Sequence, residues 1–548
     1  MVSEVPYREA QMLIDEEIAT LRAQAQKAES LLIARRNAVA PAAKLPNEVL
    51  VDIFLLSRDT SEPGARDWLP VCQICRHWRL VAVGTASLWT QIYVRSLAFT
   101  VLMLKRSQQA PLEIHFPLHR WRSSSYRAAT VTAVIRQIAR IRTLSFVEQD
   151  ASILEVAHEE LARIHLDAGI LENLTVHIRD TEAADHQLGL ALEVFRTTNG
   201  RLRALSLSNL QLLGWNTLLS VASGLRQLTL REVDTAAPIS GARFSEVLRQ
   251  MVNLEKLSLS FDDIQLHQYT APTARTPAAA RLKPIDLPWL KSLEIRSRSR
   301  LEPVEAFLVH ASYPRLQNLC ITCGDSENRT DYATVIRAMA SSIRKGGFGT
   351  PEVLKIFGDR FFVSPALGVG SPYVDVFLPL TTDLRGEETD VAIVMDILAC
   401  LVPQSPPNSD AVSSLRNLYL GNLLLPADDF IHLFGYLPHL ESIEVFGELA
   451  LVLFEALAIT SLPDQDLAPN SPIAFSKLQT ITWQRMVEYV QDYQMQSVVF
   501  DAFYGCLLAR RDRGAAILTL DLVGSKRLNM YQADKLKEVV DNVVVRQW

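Results

Sequence analysis

A short apolar string, Leu-x-x-Leu-x-Leu with Ile, Val, Phe or Trp tolerated, recurs between residues 141 and 483 and constrains this chain more than any other feature. It opens at Ile141, Leu161, Leu171, Leu202, Leu225, Leu254, Leu290, Leu316, Leu415, Leu440 and Leu478. The last two apolar positions of each string are two residues apart, the period of one face of a strand. Helix-period stripes accompany several of them. Val131, Val134, Ile135 and Ile138 stand at i, i+3, i+4 and i+7 just before the first string. The same spacing returns at Leu188, Ala191, Leu192 and Phe195, and at Phe244, Val247, Leu248 and Met251. It returns again at Val304, Phe307, Leu308 and Ala311, and at Phe430, Leu433, Phe434 and Leu437. One helix followed by one strand cannot bury its apolar side alone, so such units must stack on one another.

These units resemble leucine-rich repeats over most of residues 130–525, which implies an irregular α/β solenoid, a horseshoe, with a helical cap at 526–548. Strand starts are 23, 29 and 36 residues apart from Leu202 onward. The family's asparagine-ladder position holds Leu210, Val233, Asp262 and Leu423, so that repeated side-chain bond is missing. An ordinary α/β sheet with flanking helices is the alternative. Residues 270–288, rich in Ala, Thr and Pro, read as an excursion. Residues 322–414 hold no clean unit, and 403–409 read as a loop.

The N-terminal region follows a different rhythm. Ile14, Ile18, Leu21, Ala25, Ala28 and Leu32 alternate steps of four and three, a coiled-coil-like pattern within residues 1–40. Two alanines in that core make it either a weak dimerisation device or a helix folding back on its own chain. Pro41 ends it. The string Leu45-Pro46-Asn47-Glu48-Val49-Leu50 then leads into Ile53-Phe54, with proline suited to a first helical turn. A polar loop at 57–67 follows. Val71, Cys75, Trp78 and Ala82 then share one helical stripe, and Ser87-Leu88-Trp89 closes the segment.

Residues 44–90 resemble an F-box, the three-helix adaptor-binding motif of ubiquitin-ligase receptors, and with the preceding heptad helix the style is similar to the large fungal F-box families. Two departures stand out: the long polar loop in place of a Leu-rich middle, and Ala86 where proline is common. The resemblance implies docking on a Skp-type adaptor and, through it, a cullin. Leu45, Pro46, Val49, Leu50, Ile53 and Phe54 are the expected apolar anchors in a helix-in-groove contact. Trp78, Leu88 and Trp89 complete the adaptor-binding set by holding the short helices together.

Composition excludes several other classes. The chain has 548 residues, 48% hydrophobic and 21% charged, too apolar for a disordered chain. Its 55 basic residues against 61 acidic ones give a net charge of −6, so no general attraction for nucleic acid is expected. Six cysteines are too few for a disulfide scaffold. The segment from Met1 to Ile18 has no basic stretch followed by an apolar run, and the most apolar stretch, 391–402, is short and broken by Asp396. A cytoplasmic or nuclear protein without membrane contact is expected.

No catalytic pattern emerges. Cys72/Cys75 and Cys320/Cys323 are Cys-x-x-Cys pairs, but the first lies in the F-box-like helix and the second straddles both faces of a strand. Buried, inert thiols are expected, with no metal and no cofactor. Gly368-Val369-Gly370-Ser371 lacks the lysine of a phosphate loop, and His158-Glu159-Glu160 lacks a second histidine. The acidic stretch 382–388 reads as a solvated loop.

A non-catalytic substrate receptor of an SCF-type (Skp–cullin–F-box) ubiquitin ligase is therefore the reading, the alternative being a repeat scaffold without a role in ubiquitin transfer. The target protein would meet the strand positions facing away from the inward leucines. There Arg231 and Arg296 suit an acidic or phosphorylated segment. Tyr419 and Phe446, 27 residues apart in neighbouring units, suit an exposed aromatic patch.

Overall fold

The computed structural model describes residues 5–62, 64–116, 124–149, 151–164, 169–178, 189–190, 201–212, 218–219, 222–235, 239–261, 266–267, 284–298, 301–324, 335–339, 350–358, 360–366, 368, 371–377, 387–401, 414–447, 449–461, 473–484, 493–523 and 530–546. The chain divides into two compact units, Met1–Leu188 with Val194–Leu202, and Gly189–Glu193 with Arg203–Trp548.

The first unit begins with helix α1 (Val5–Ala38), a 3-10 turn at Pro41–Lys44, then α2 (Asn47–Asp59), α3 (Val71–Ile74), α4 (Arg76–Gly84) and a 3-10 turn at Ala86–Trp89. It continues with β1 (Gln91–Tyr93), α5 (Leu97–Arg106), β2 (Leu112–Phe116), α6 (Ser124–Ile135), β3 (Ile141–Gln149), α7 (Ala151–Ile164) and β4 (Asn173–Ile178). The four strands pair in chain order, all parallel. Parallel neighbours require crossovers, and α5, α6 and α7 supply them. Leu112, Ile114 and Phe116 alternate inward, and Phe116 stacks on Phe146 of the next strand at 4.7 Å.

Arg140 ties this unit together. Its guanidinium donates to the Leu104 and Ala110 carbonyls at 3.0 and 3.1 Å and to Ser107 Oγ at 3.0 Å. The Leu104 carbonyl, in the last turn of α5, is satisfied this way. Leu161 and Ile164, expected to open a strand, instead fall at the end of α7, where Ile153, Leu154, Ala157 and Glu160 are buried at helical spacing and override the shorter period; Leu166 of that string lies outside the described residues. Glu160 is paired there with Arg136 at 2.9 Å.

The second unit holds β5 (Gly189–Leu190), β6 (Ala204–Leu212), β7 (Gln227–Thr235), β8 (Ile239–Ser240), β9 (Lys256–Ser260), β10 (Leu266–His267), β11 (Ile285–Asp286), β12 (Ser292–Ser297), β13 (Ala311–Ser312) and β14 (Asn318–Cys323). After these come β15 (Val353–Phe357), β16 (Arg360–Ser364), β17 (Tyr373–Phe377), β18 (Asn417–Gly421), β19 (Ser442–Phe446), β20 (Thr480–Gln484), β21 (Thr519–Val523) and β22 (Asn542–Arg546). The main ladder runs β5-β6-β7-β9-β12-β14-β17-β16-β15-β18-β19-β20-β21-β22. Every step is parallel except the two around β16. The region is thus a large mixed α/β structure.

Two apolar rows cross this ladder without a register break. One runs Leu228-Leu257-Leu293-Leu319-Val374-Val363-Leu354-Leu418-Ile443-Ile481-Leu520, the other Leu230-Leu259-Ile295-Ile321-Val376-Phe361-Ile356-Leu420-Val445-Trp483-Leu522. All of these side chains are buried. Burying a Leu or Val side chain stabilises by about 1.5–3 kcal/mol, so these rows are the main driving force of the unit. The stripes Phe244-Val247-Leu248, Val304-Phe307-Leu308 and Phe430-Leu433-Phe434 lie on the helices Gly241–Arg249, Glu302–His310 and Ala427–Phe434 and are buried.

Residues 322–414, expected to lack a clean unit, contain the meander β15-β16-β17, which enters the ladder in reverse order between β14 and β18. Part of the 270–288 excursion forms β11, paired with β13. The rest of that excursion, the 188–195 stripe, the 403–409 loop and the 382–388 acidic stretch lie wholly or largely outside the described residues. The 526–548 segment carries a helix at Met530–Leu536 and then β22, which extends the sheet beside β21. The missing asparagine ladder also has a structural answer: Leu210, Val233 and Leu423 are buried apolar contacts.

Candidate functional site

Two surfaces carry the residues singled out by sequence, one in each unit. In the first, α2 begins after Pro46 and buries Leu50 and Phe54, both completely. Phe54 packs against Trp78 of α4 at 5.1 Å, and Trp68 meets Trp89 edge-on at 5.2 Å. Trp89 donates its indole N–H to the Ala82 carbonyl at 2.8 Å and lies under the Arg106 guanidinium, 4.3 Å away. Arg58 reaches the Ser87 carbonyl at 2.6 Å. Aromatic side chains therefore hold together a helical segment too short to build a large core from aliphatic residues alone.

This packing sorts the expected anchors. Leu50, Phe54, Leu88 and Trp89 are buried inside the unit, so these four shape the surface and do not form it, while Trp78 is half-buried. Leu45 is half-buried and Pro46 exposed, while Val49 and Ile53 are 40% and 42% exposed. Three exposed residues escaped the sequence reading: Leu56, Ile74 and Leu80, at 65%, 56% and 67%. Val49, Ile53 and Leu56 follow i, i+4, i+7, a second apolar stripe beside the buried one, and that doubled periodicity was the available signal. Ile74 and Leu80 also line a groove of about 670 Å³ whose other wall is the C-terminal half of α1.

Cys75 is the N-cap of α4, its sulfur accepting from the Trp78 backbone N–H at 3.4 Å, a correction to the expected core role. Burial pushes the Cys72 thiol up against the pull of Arg106 and Arg79, which keeps it protonated and inert. Among the described residues no three His, Cys, Asp or Glu side chains converge in a metal-binding group, and no helix is long and apolar enough to cross a membrane.

The match to known families falls on this segment. Residues 42–95 match the family model of F-box-like domains. The chain carries an F-box-like domain. Its limits enclose the 44–90 segment identified from sequence, and its family generally binds Skp1-type adaptors. No curated protein matches the chain.

The second surface is the face of the long ladder opposite its apolar rows. Here the structure changes the reading of all four candidate residues. Arg231 and Arg296 are engaged by one carboxylate: Arg231 Nη2 and Arg296 Nη2 lie 2.7 and 2.8 Å from Glu294, and Ser258 Oγ donates to it at 3.0 Å. Burial would raise the Glu294 pKa, but Arg231 and the three hydrogen bonds hold it below the usual carboxylate value. Both arginines are thus already paired within the sheet, sharing a single carboxylate. Arg360 and Asp375 form a bidentate pair at 2.8 and 2.5 Å two strands further on.

Tyr419 and Phe446 do not make the expected patch with each other. The Lys355 ammonium sits 4.4 Å over the Tyr419 ring, and Phe446 packs edge-on against Phe357 at 5.0 Å. Gly421 lies between Phe357 and Phe446 in the ladder; a Cβ there would stand 2.9 Å from the Phe357 ring. Phe362 and Tyr373 stack nearby at 5.8 Å. The aromatic material of this face thus comes largely from the β15–β17 meander, which carries no leucine string and was invisible to it. Burial raises the Glu444 pKa, opposed by a hydrogen bond from Gln484 and the charge of Lys355.

Proposed function

We propose that this chain is a non-catalytic substrate receptor of a cullin-based ubiquitin ligase. Its F-box-like domain docks on a Skp-type adaptor, and its strand region, an irregular leucine-rich-repeat-like horseshoe, holds the target protein. The observation that carries the reading is the exposed stripe Val49, Ile53 and Leu56 on a domain whose own core is already filled by Leu50, Phe54, Leu88 and Trp89. Exposed contiguous apolar surface on a folded domain marks an interaction site. The in-order parallel steps on either side of the β15–β17 meander, and the apolar rows that run unbroken through it, support stacked repeats. The fungal-type F-box families remain the style it is similar to, and the cytoplasm or nucleus is the compartment this reading implies.

The test is capture of a purified Skp-type adaptor by the full chain and by Ile53→Asp. Loss of capture in the folded variant supports the docking surface; capture by both at equal strength, or by neither, overturns it. A reconstituted reaction with and without the chain then reads ubiquitin transfer to a bound target. Adaptor capture with no transfer to any bound target would reduce the chain to a scaffold.

A further inference from the structure

Helix α1 resolves the choice left open by its heptads. It is one uninterrupted helix of 34 residues, and every residue from Tyr7 to Arg36 is exposed. The apolar stripe is therefore not covered by a fold-back: Ile14, Ile18, Leu21 and Leu32 are 56%, 39%, 58% and 65% exposed. Isoleucine or leucine at these positions with alanine at 25 and 28 fits the core of a coiled coil, the alanines permitting close approach at the cost of buried area.

The charges flanking the stripe select the partner. With Ile18, Ala25 and Leu32 at a and Ile14, Leu21 and Ala28 at d, the e positions are Asp15, Arg22 and Glu29, and the g positions include Glu17 and Gln24. In a parallel pair of identical helices, g of one faces the next e of the other. Glu17 then meets Arg22 of the second copy, twice by symmetry, and Gln24 meets Glu29. In an antiparallel pair aligned on the same core layers, e faces e: Arg22 meets Arg22 and Asp15 meets Glu29. That arrangement sets like charges together along one edge. We propose that α1 is the docking surface for a second copy of this chain, forming a parallel, in-register two-stranded coiled coil.

The measurement is the mass of the purified full chain by light scattering across a concentration series. A concentration-dependent doubling of the 61.3 kDa mass is expected. Ile18→Glu with Leu21→Glu, both on the exposed helix and outside the F-box-like domain, leaves only monomer with unchanged circular dichroism in the rest of the chain. Glu17→Arg weakens association roughly tenfold at low salt, and Glu17→Arg with Arg22→Glu restores it. Ala28→Cys, at a d position, gives an oxidised covalent dimer that the parent chain does not form. A chain that stays monomeric throughout the series, or a dimer indifferent to Ile18→Glu/Leu21→Glu, overturns the proposal. So does failure of the charge swap to restore binding, because that pairing exists only in the parallel register.

Discussion

The F-box-like domain and the polar face of the long ladder solve opposite problems with opposite materials. The first fills a small core with tryptophan and phenylalanine and leaves Val49, Ile53, Leu56 and Leu80 in water. The second drives its leucines inward in continuous rows and pairs the charges of its opposite face from within, Arg231 and Arg296 on Glu294, Arg360 on Asp375 and Arg546 on Asp521. One surface is apolar and unmatched, the other polar and largely self-matched. A partner gains affinity from the first by covering it, whereas on the second it must compete with ion pairs already made. Such competition yields selectivity more readily than strength.

The sharpest way to break this contrast is to charge the two neighbouring stripes of α2 separately. Leu50→Asp places an unpaired carboxylate in a fully buried site and should cost ~4 kcal/mol, unfolding the domain. Ile53→Asp, 42% exposed, should leave the domain's thermal transition within a degree or two while removing about 2–4 kcal/mol of adaptor affinity. Calorimetry of the chain and adaptor titration read the two effects independently. If both variants lose affinity only through unfolding, the exposed stripe is not an interface.

These two residues also show where sequence stops being readable. The spacing of Val49, Leu50, Ile53 and Phe54 identifies an apolar helix, but burial is decided by Trp78 and the closing Leu88-Trp89 turn, more than twenty residues away. The strand rows were legible because each leucine string is local, and Ile517-Leu520-Leu522 obeys the same rule in β21. The polar face was not. Arg231 and Glu294 are 63 positions apart, and only the register of β7, β9 and β12 brings them together. Residues that look like free cations in one dimension are paired in three.

The next effect is smaller and concerns the aromatic part of the ladder. Gly421→Ala sets a methyl 2.9 Å from the Phe357 ring and 3.0 Å from the Phe446 Cβ, so the pair must separate. Overpacking of this kind costs typically 1–3 kcal/mol. The expected result is a lower melting temperature with adaptor affinity unchanged. A variant as stable as the parent would show that Phe357 and Phe446 are loosely held and available to a partner.

The smallest effect separates two carboxylates on the same face. The Glu294 pKa is lowered in the folded chain from 4.5: burial opposes this, but Arg231 and its hydrogen bonds prevail. Its contribution to stability is therefore present above pH 4.5 and is lost as pH falls through the lower folded value. The Glu444 pKa is raised above 4.5 by burial, so its contribution has the other sign, present below 4.5 and lost as pH rises through the folded value. At pH 7, Glu294→Gln should destabilise by about 1 kcal/mol, since it leaves two arginines without their shared partner. Glu444→Gln should be neutral or stabilise by a few tenths of a kcal/mol, because a poorly solvated charge is removed while the Gln484 hydrogen bond can still be accepted. Thermal denaturation of both variants at pH 7 and again below the lowered folded value of Glu294 reads the difference. Both gaps to the parent should close in acid, from opposite directions, and two variants moving the same way would show that the face is not divided between paired and strained carboxylates.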